Sequence, residues 1–324
     1  MRVVVTRTSR PLLTVDRVCR LLGFAAPSPR SLAAALGSTQ VAAFRAMARL
    51  HDDGWGAAWL EGGGADDDAV HTRRSPRSGY GDPALEQLTD GLQARAGLLH
   101  LRLASSGMPV QPENTHPFVG RVTGRGDVAL AHNGAVKPAA RLEELLAPAS
   151  RAALAGSTDS ERYAALVRER AAAAGGDLAR GAAAAAAELA PLFPASSLNA
   201  VLLSARELVV VHVSAGARIP HEDFDASGIA EEELPVGHRT GYYQLWRRRS
   251  EDGAVVVSSS GLRVDGWEPL PADVVLRVDL RTLEEQRLPV PVTRGASAEA
   301  APAAPRVLPG ARHESQGSAA RAMV

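Results

Sequence analysis

Cys19 is the sole cysteine of the chain, in the run Val18-Cys19-Arg20-Leu21-Leu22-Gly23-Phe24. A lone thiol is either a small buried hydrophobe or a nucleophile. A nucleophile needs a base, and a cysteine that begins a chain carries its own. An α-amine titrates near ~7.7–8.0 and can take the thiol proton directly or through water. Three further clusters bear chemistry. In His100-Leu101-Arg102-Leu103-Ala104-Ser105-Ser106-Gly107, Arg102 either points outward from an edge strand or holds a carboxylate with its planar fork. Ala131-His132-Asn133-Gly134 is a turn signal, and the Asn133 amide and Gly134 N–H could also point together at a developing oxyanion. Ser157-Thr158-Asp159-Ser160-Glu161 has capping-box spacing at a helix start, and a carboxylate there could also bind a substrate ammonium. Trp55, between two glycines, is either core packing or a pocket wall.

These residues must be held by elements of secondary structure. Short apolar runs bounded by turns predict strands at 57–60, 97–103, 128–132, 200–203, 208–213, 242–247, 254–258 and 274–279. Helices are predicted over 31–36, 41–50, 83–96, 139–145, 160–174 and 177–189. Glu251-Asp252-Gly253 between two strand-like arms predicts a hairpin. Residues 62–68 and 120–126 read as exposed loops. Strands in hairpin-like pairs and helices in blocks point to an α+β class with antiparallel sheets. The expected organisation is a leader over 1–18, one folded domain over 19–290, and a disordered tail over 291–324 rich in Ala, Pro, Gly, Ser and Arg.

Composition excludes several function classes. The 36 basic residues balance the 36 acidic ones, so no general attraction to nucleic acid or an anionic membrane is expected. No run approaches the ~20 apolar residues of a membrane helix, and the leader lacks the apolar core of a secretory signal. One cysteine rules out an intrachain disulfide and a cysteine-rich zinc site. His100, His116 and His132 lack the close spacing of a metal-binding helix, and Gly62-Gly63-Gly64 is followed by acidic residues that would repel phosphate. No metal, no cofactor and a cytoplasmic setting are expected. Only Lys137 among the basic residues is a lysine, so the abundance of arginine says little by itself.

Taken in order, the pieces resemble the class II glutamine amidotransferase family. The matching runs are Cys-Arg-Leu-Leu-Gly at 19–23, Asp-Gly-Trp-Gly at 53–56, His-Leu-Arg-Leu-Ala-Ser at 100–105, His-Pro-Phe at 116–118, His-Asn-Gly at 132–134 and Thr-Asp-Ser-Glu at 158–161. Length and the Cys-Arg opening are most similar to the stand-alone members, which include the amidohydrolase of ergothioneine biosynthesis. The resemblance implies a four-layer αββα N-terminal-nucleophile fold, with two stacked antiparallel sheets between helical layers. It implies that Cys19 attacks a γ-glutamyl amide with its own α-amine as base, and that Asn133 and Gly134 form the oxyanion hole. Arg102, helped by Ser105, would bind the α-carboxylate and Asp159 the α-ammonium. Water would then open the γ-glutamyl thioester. The implied partners are glutamine or another γ-glutamyl small molecule, with a separate synthase subunit to receive ammonia or hydrolysis alone. The alternatives are a γ-glutamyl-conjugate hydrolase of thiol biosynthesis and an inactive glutamine-binding domain.

The sequence departs from the family pattern in two ways. Ser106 stands where many synthase-linked members have histidine. Eighteen residues precede Cys19, and a peptide bond there abolishes the basicity of its amine. The leader is cleaved before Cys19, or the true start is Val18 read as an initiator methionine, or the chain is an uncleaved binding protein. The second fits best, since Val-Cys-Arg differs from a Met-Cys-Arg opening by one residue.

Overall fold

Residues of successive strands alternate between two different apolar environments, and this alternation builds the molecule. The computed structural model describes residues 19–61, 69–105, 107–226, 228–263 and 265–292. The expected leader, the loop over 62–68, Ser106 and the tail from 293 onward lie outside them. The strands are β1 (Arg20–Arg30), β2 (Trp55–Leu60), β3 (His71–Ser75), β4 (Ala94–Leu101), β5 (Phe118–Val122), β6 (Gly126–Asn133), β7 (Asn199–Ser204), β8 (Glu207–His212), β9 (Leu245–Arg249), β10 (Val255–Ser259), β11 (Glu268–Pro269), β12 (Val274–Asp279) and β13 (Glu285–Pro289). The helices are α1 (Leu32–Leu36), α2 (Ser38–Ala46), α3 (Pro83–Asp90), α4 (Ala139–Glu143), α5 (Pro148–Ala152), α6 (Asp159–Ala173), α7 (Leu178–Leu192) and α8 (His221–Ala226). One sheet runs β11-β9-β10-β1-β4-β2-β3 and the other β13-β12-β8-β7-β6-β5, with antiparallel pairing throughout.

Leu21 and Ala25 of β1 join Leu98, Ala131, Val201, Val210 and Leu276 in a core between the two sheets. Leu22 and Phe24 face the other way, into a core with Leu32, Leu36, Phe44 and Leu85 of α1–α3. On the second sheet Leu130, Leu202 and Val209 pack outward against Tyr163, Leu166, Ala182 and Leu189 of α6 and α7. The result is helix, sheet, sheet, helix, as the resemblance implies. A Cβ at Gly23 would meet Val201 Cγ1 at 2.9 Å, so glycine lets the sheets approach closely beside the start of β1.

Several boundaries differ from expectation. The helix expected over 83–96 ends at Asp90, because Gly91 follows and Ala94 already belongs to β4. The stretch over 120–126 is no open loop: Gly120 lies inside β5, and the turn falls at Gly124 and Gly126, with φ of 75° and 87°. A Cβ at Gly120 would press on the Arg168 guanidinium at 2.6 Å, so the glycine serves close helix–strand packing. Residues 242–244 form a turn and β9 begins at Leu245. The expected hairpin is present, with Ser250 N–H donating to Ala254 O at 2.9 Å.

Candidate active site

Three chain segments reach one end of the sandwich: the residue before β1, the residues after β4 and the residues that close β6. Cys19 is 6% exposed, with Sγ 3.5 Å from Leu103 N, whose N–H points at it, and 3.8 Å from Leu103 O. Burial pushes the thiol up to about 11, against the Leu103 hydrogen bond and the positive charges of Arg102 and Arg20, while Asp159 acts in the raising direction. At neutral pH such a thiol stays protonated until a base removes its proton.

Arg102 is the first residue past β4, rather than inside a strand running to 103, and it is 3% exposed. β4 lies between β1 and β2, so the outward-facing edge position is overturned. Its backbone extends the ladder, donating to Gly54 O at 2.8 Å and accepting from Asp53 N at 3.1 Å. The guanidinium donates to two backbone carbonyls, Asp53 O at 3.2 Å and Pro109 O at 3.3 Å. Burial lowers its pKa, partly offset by Cys19 and Asp53. The Asp53 carboxylate accepts from Ala104 N–H at 2.8 Å, which fixes the segment after Arg102. Ser105 is half-buried in the turn that follows, its carbonyl accepting from Met108 N–H at 3.0 Å.

Asn133 ends β6, is fully buried and pairs with Asn199 of β7. Its Nδ2 and Oδ1 have no hydrogen-bond partner among the described residues, while its carbonyl accepts from Ser197 Oγ at 2.7 Å. A Cβ at Gly134 would lie 1.9 Å from Ser197 O, so only glycine permits this turn. His132 braces it. A carbonyl can only accept, so Nε2–H donates to Ser197 O at 2.8 Å and Nδ1 accepts from the Ser160 hydroxyl at 2.9 Å. Burial lowers the His132 pKa, and the Asp159 carboxylate opposes that.

Asp159 opens α6, with Oδ2 accepting from Val136 N–H at 2.5 Å just past the Asn133–Gly134 turn. Thr158 caps the helix as expected, accepting from Glu161 N–H at 3.2 Å. Glu161 departs from the capping box: its carboxylate reaches back to Ala155 and Gly156 N–H, both at 2.8 Å. Cys19, Arg102, Asn133, Gly134 and Asp159 thus gather at one end, with a cation and an anion both acting on the thiol. Trp55 does not join them. Its indole packs with Leu85 and Leu101 in the core against α1–α3, and Nε1–H donates to Asp82 Oδ2 at 2.8 Å. Packing, and not a pocket wall, is what the structure assigns to it.

The expectations omitted roles for several buried polar residues nearby. His100 donates from Nε2 to His132 O at 3.2 Å, and its ring centroid lies 4.0 Å from that of His116. Burial lowers His100 to about 3 and lowers His116 as well. Ser197, Asn199 and His51 belong to no motif, and Arg20 entered only as part of the Cys-Arg opening, without a role of its own. The one available signal was Arg20, an arginine beside an apolar run that turns out to be the buried half of β1, from Arg20 to Ala26. Among the described residues no group of three or more His, Cys, Asp or Glu side chains is gathered to hold a metal ion. Nor is any helix there long and apolar enough to cross a membrane.

Comparison with known proteins places this arrangement in a family. Over 88 residues the chain is 34% identical to the gamma-glutamyl-hercynylcysteine sulfoxide hydrolase of Mycolicibacterium smegmatis, covering 27% of this chain and 34% of that protein. It is 33% identical over 88 residues to the Mycobacterium tuberculosis protein of the same name, covering 27% and 33%. The matched part spans about a third of the length of these curated relatives. In fold the chain is similar to a glutamine aminotransferase class-II domain protein from Silicibacter pomeroyi, with a TM-score of 0.52 at 18% identity over 84% of this chain and 99% of that one. It is also similar in fold to the glutamine phosphoribosylpyrophosphate amidotransferase of B. subtilis, with a TM-score of 0.54 at 15% identity over 85% of this chain and 50% of that one. The model of the family described as glutamine amidotransferases class-II matches residues 18–274. By that match, which begins one residue before the buried thiol, the chain belongs to the class II glutamine amidotransferases, a family of enzymes.

Proposed function

We propose that the protein hydrolyses a γ-glutamyl amide through a thioester on Cys19. The observation that carries this is Asn133: a fully buried side-chain amide with neither polar atom partnered among the described residues, at the end of the sandwich that holds the thiol. An unpaired buried amide is costly, and a developing oxyanion would satisfy its Nδ2–H. In the proposed reaction the free α-amine of Cys19 takes the thiol proton and Sγ attacks the γ-carbonyl carbon. Asn133 Nδ2–H and Gly134 N–H hold the oxyanion. The α-ammonium returns the proton to the leaving amine as the C–N bond breaks. Water then opens the thioester, releasing glutamate and restoring the thiol. Arg102 and Ser105 would take the substrate α-carboxylate, and Asp159 its α-ammonium.

The free amine requires that Cys19 begin the mature chain, by cleavage of the leader or by a start at Val18. A thiol raised by burial to about 11 supports the need for that base. The likeness to two gamma-glutamyl-hercynylcysteine sulfoxide hydrolases favours a γ-glutamyl conjugate over glutamine as the substrate. A separate subunit that receives ammonia belongs to the glutamine reading alone.

The test is glutamate release from glutamine and from a γ-glutamyl thioether sulfoxide, by protein whose N-terminus has been sequenced. Protein beginning at Cys19 should turn over the conjugate faster than glutamine, and Cys19→Ala should abolish turnover while melting like the parent. Activity in protein that still carries the leader sinks the amine mechanism. Binding of glutamine without release of glutamate by the processed protein would identify it as a binding domain.

A further inference from the structure

Tyr242 and Tyr243 sit in the turn that leads into β9, and their carbonyls are gripped from both sheets. Arg20, next to Cys19, donates from Nη1 to Tyr242 O at 3.4 Å, to Ser260 O at 3.1 Å and to Ser260 Oγ at 2.8 Å. Its guanidinium carbon lies 3.7 Å from the centroid of the Tyr242 ring, and Nε–H donates to His51 Nε2 at 3.2 Å. Asn199, paired with Asn133 across β6 and β7, donates from Nδ2 to Tyr243 O at 2.7 Å and accepts on Oδ1 from Val213 N–H at 3.0 Å. Arg20, Tyr242 and Asn199 are all fully buried.

One clamp starts beside the nucleophile and the other beside the oxyanion amide, and they hold adjacent residues. Consecutive Cα atoms are ~3.8 Å apart, so neither clamp can shift without pulling the other. The Arg20 clamp is an expensive device. Its charge meets no carboxylate in its hydrogen bonds, and Nη2 has no partner among the described residues. An apolar side chain would fill the same space at lower cost.

We propose that Arg20 and Asn199 are positioning residues which, through the Tyr242–Tyr243 backbone, set the separation of Cys19 Sγ on one sheet from the Asn133 amide on the other. This rests on the reading of Cys19 as nucleophile and Asn133 as oxyanion donor. Misplacement of reacting groups by ~1 Å can cost ~100-fold in rate, so the clamps act on kcat and leave substrate affinity alone.

The experiment measures kcat and KM for glutamate release, with a thermal melt of each variant, in protein beginning at Cys19. Asn199→Ala and Arg20→Met should lower kcat by roughly 10- to 100-fold with KM nearly unchanged, and Arg20→Lys should recover part of the loss. Asn199→Asp keeps the Val213 contact but donates to Tyr243 O only when protonated. Its kcat relative to the parent should therefore rise as the pH is lowered. Val290→Ala, in the core beneath α6 and α7, supplies a destabilised control that keeps its kcat. Unchanged kcat in folded Asn199→Ala and Arg20→Met, a pH-independent Asn199→Asp ratio, or an equal kcat loss in Val290→Ala overturns the proposal. In each case loss of activity in Cys19→Ala and Asn133→Ala leaves the site itself standing. Activity retained in both of those variants overturns the site and the clamps together.

Discussion

The Arg102 guanidinium is held by backbone carbonyls and left unpaired by any carboxylate in its hydrogen bonds, while the Asp53 carboxylate holds the Ala104 N–H instead. A buried cation in that condition is a ready site for an anion. Arg102→Ala should raise KM for a γ-glutamyl substrate by roughly 10- to 100-fold, the worth of a charge-assisted contact. The parent should also discriminate strongly against the substrate whose α-carboxylate is converted to a carboxamide. If Arg102→Ala keeps that discrimination in KM, another residue reads the carboxylate. At this scale the gathering of the candidate site residues was legible where they came as motifs. Cys19, Arg102, Asn133, Gly134 and Asp159 do converge. Trp55 was not legible, because a tryptophan between glycines looks alike whether it lines a pocket or a core. Arg20 and Asn199 act through backbone carbonyls far along the chain, and such partners leave no local pattern.

Elements bring these side chains together, and the β6 turn has the least freedom. Ser197 O occupies the space a Cβ would need at Gly134, 1.9 Å away, with His132 Nε2 at 2.7 Å. Gly134→Ala should cost about 1–3 kcal/mol by overpacking and lower kcat, since Asn133 and the Ser197 brace must move together. A kcat and a urea midpoint equal to the parent's would show that the turn has slack. β12 was legible to the residue, because Val274–Asp279 is a short apolar run between turns. β1 was not. Leu21 and Leu22 are both buried, one between the sheets and one under helices, so the polar alternation that marks a half-buried strand is missing. The overlong helix at 83–96 failed for the opposite reason: local propensity continued, and Gly91 with the pairing of β4 ended it.

For the whole molecule, the buried imidazoles set the acid limit. His51, His100, His116, His132 and His238 are all buried and all shifted downward by desolvation. In the unfolded chain they take up protons below pH ~6.5, whereas folded His100 holds out until about 3. The unfolded state therefore binds more protons throughout that window. Stability should fall as pH drops from ~6.5, by ~1.4 kcal/mol per unit for each histidine kept neutral, and level off below the folded values. Urea midpoints measured between pH 7.5 and 5 check this, and a flat profile contradicts it. The four-layer architecture was legible through the family resemblance, while composition and pattern alone reached only α+β with antiparallel sheets.

β1 is flanked by β4 and β10, and the Ser260 that Arg20 grips lies 240 residues further along the chain. A ribosome makes Cys19 long before it makes Ser260. Until the chain has been made through Ser260, the strand behind the thiol has one open edge and its buried arginine lacks the two Ser260 oxygens it holds. A nascent chain thus carries the thiol long before the contacts of the neighbouring Arg20 are complete. Truncated products from interrupted synthesis would bear the thiol without the contact that seats its neighbour, and that contact can arise only in a molecule translated past β10, the strand that covers the second edge of β1.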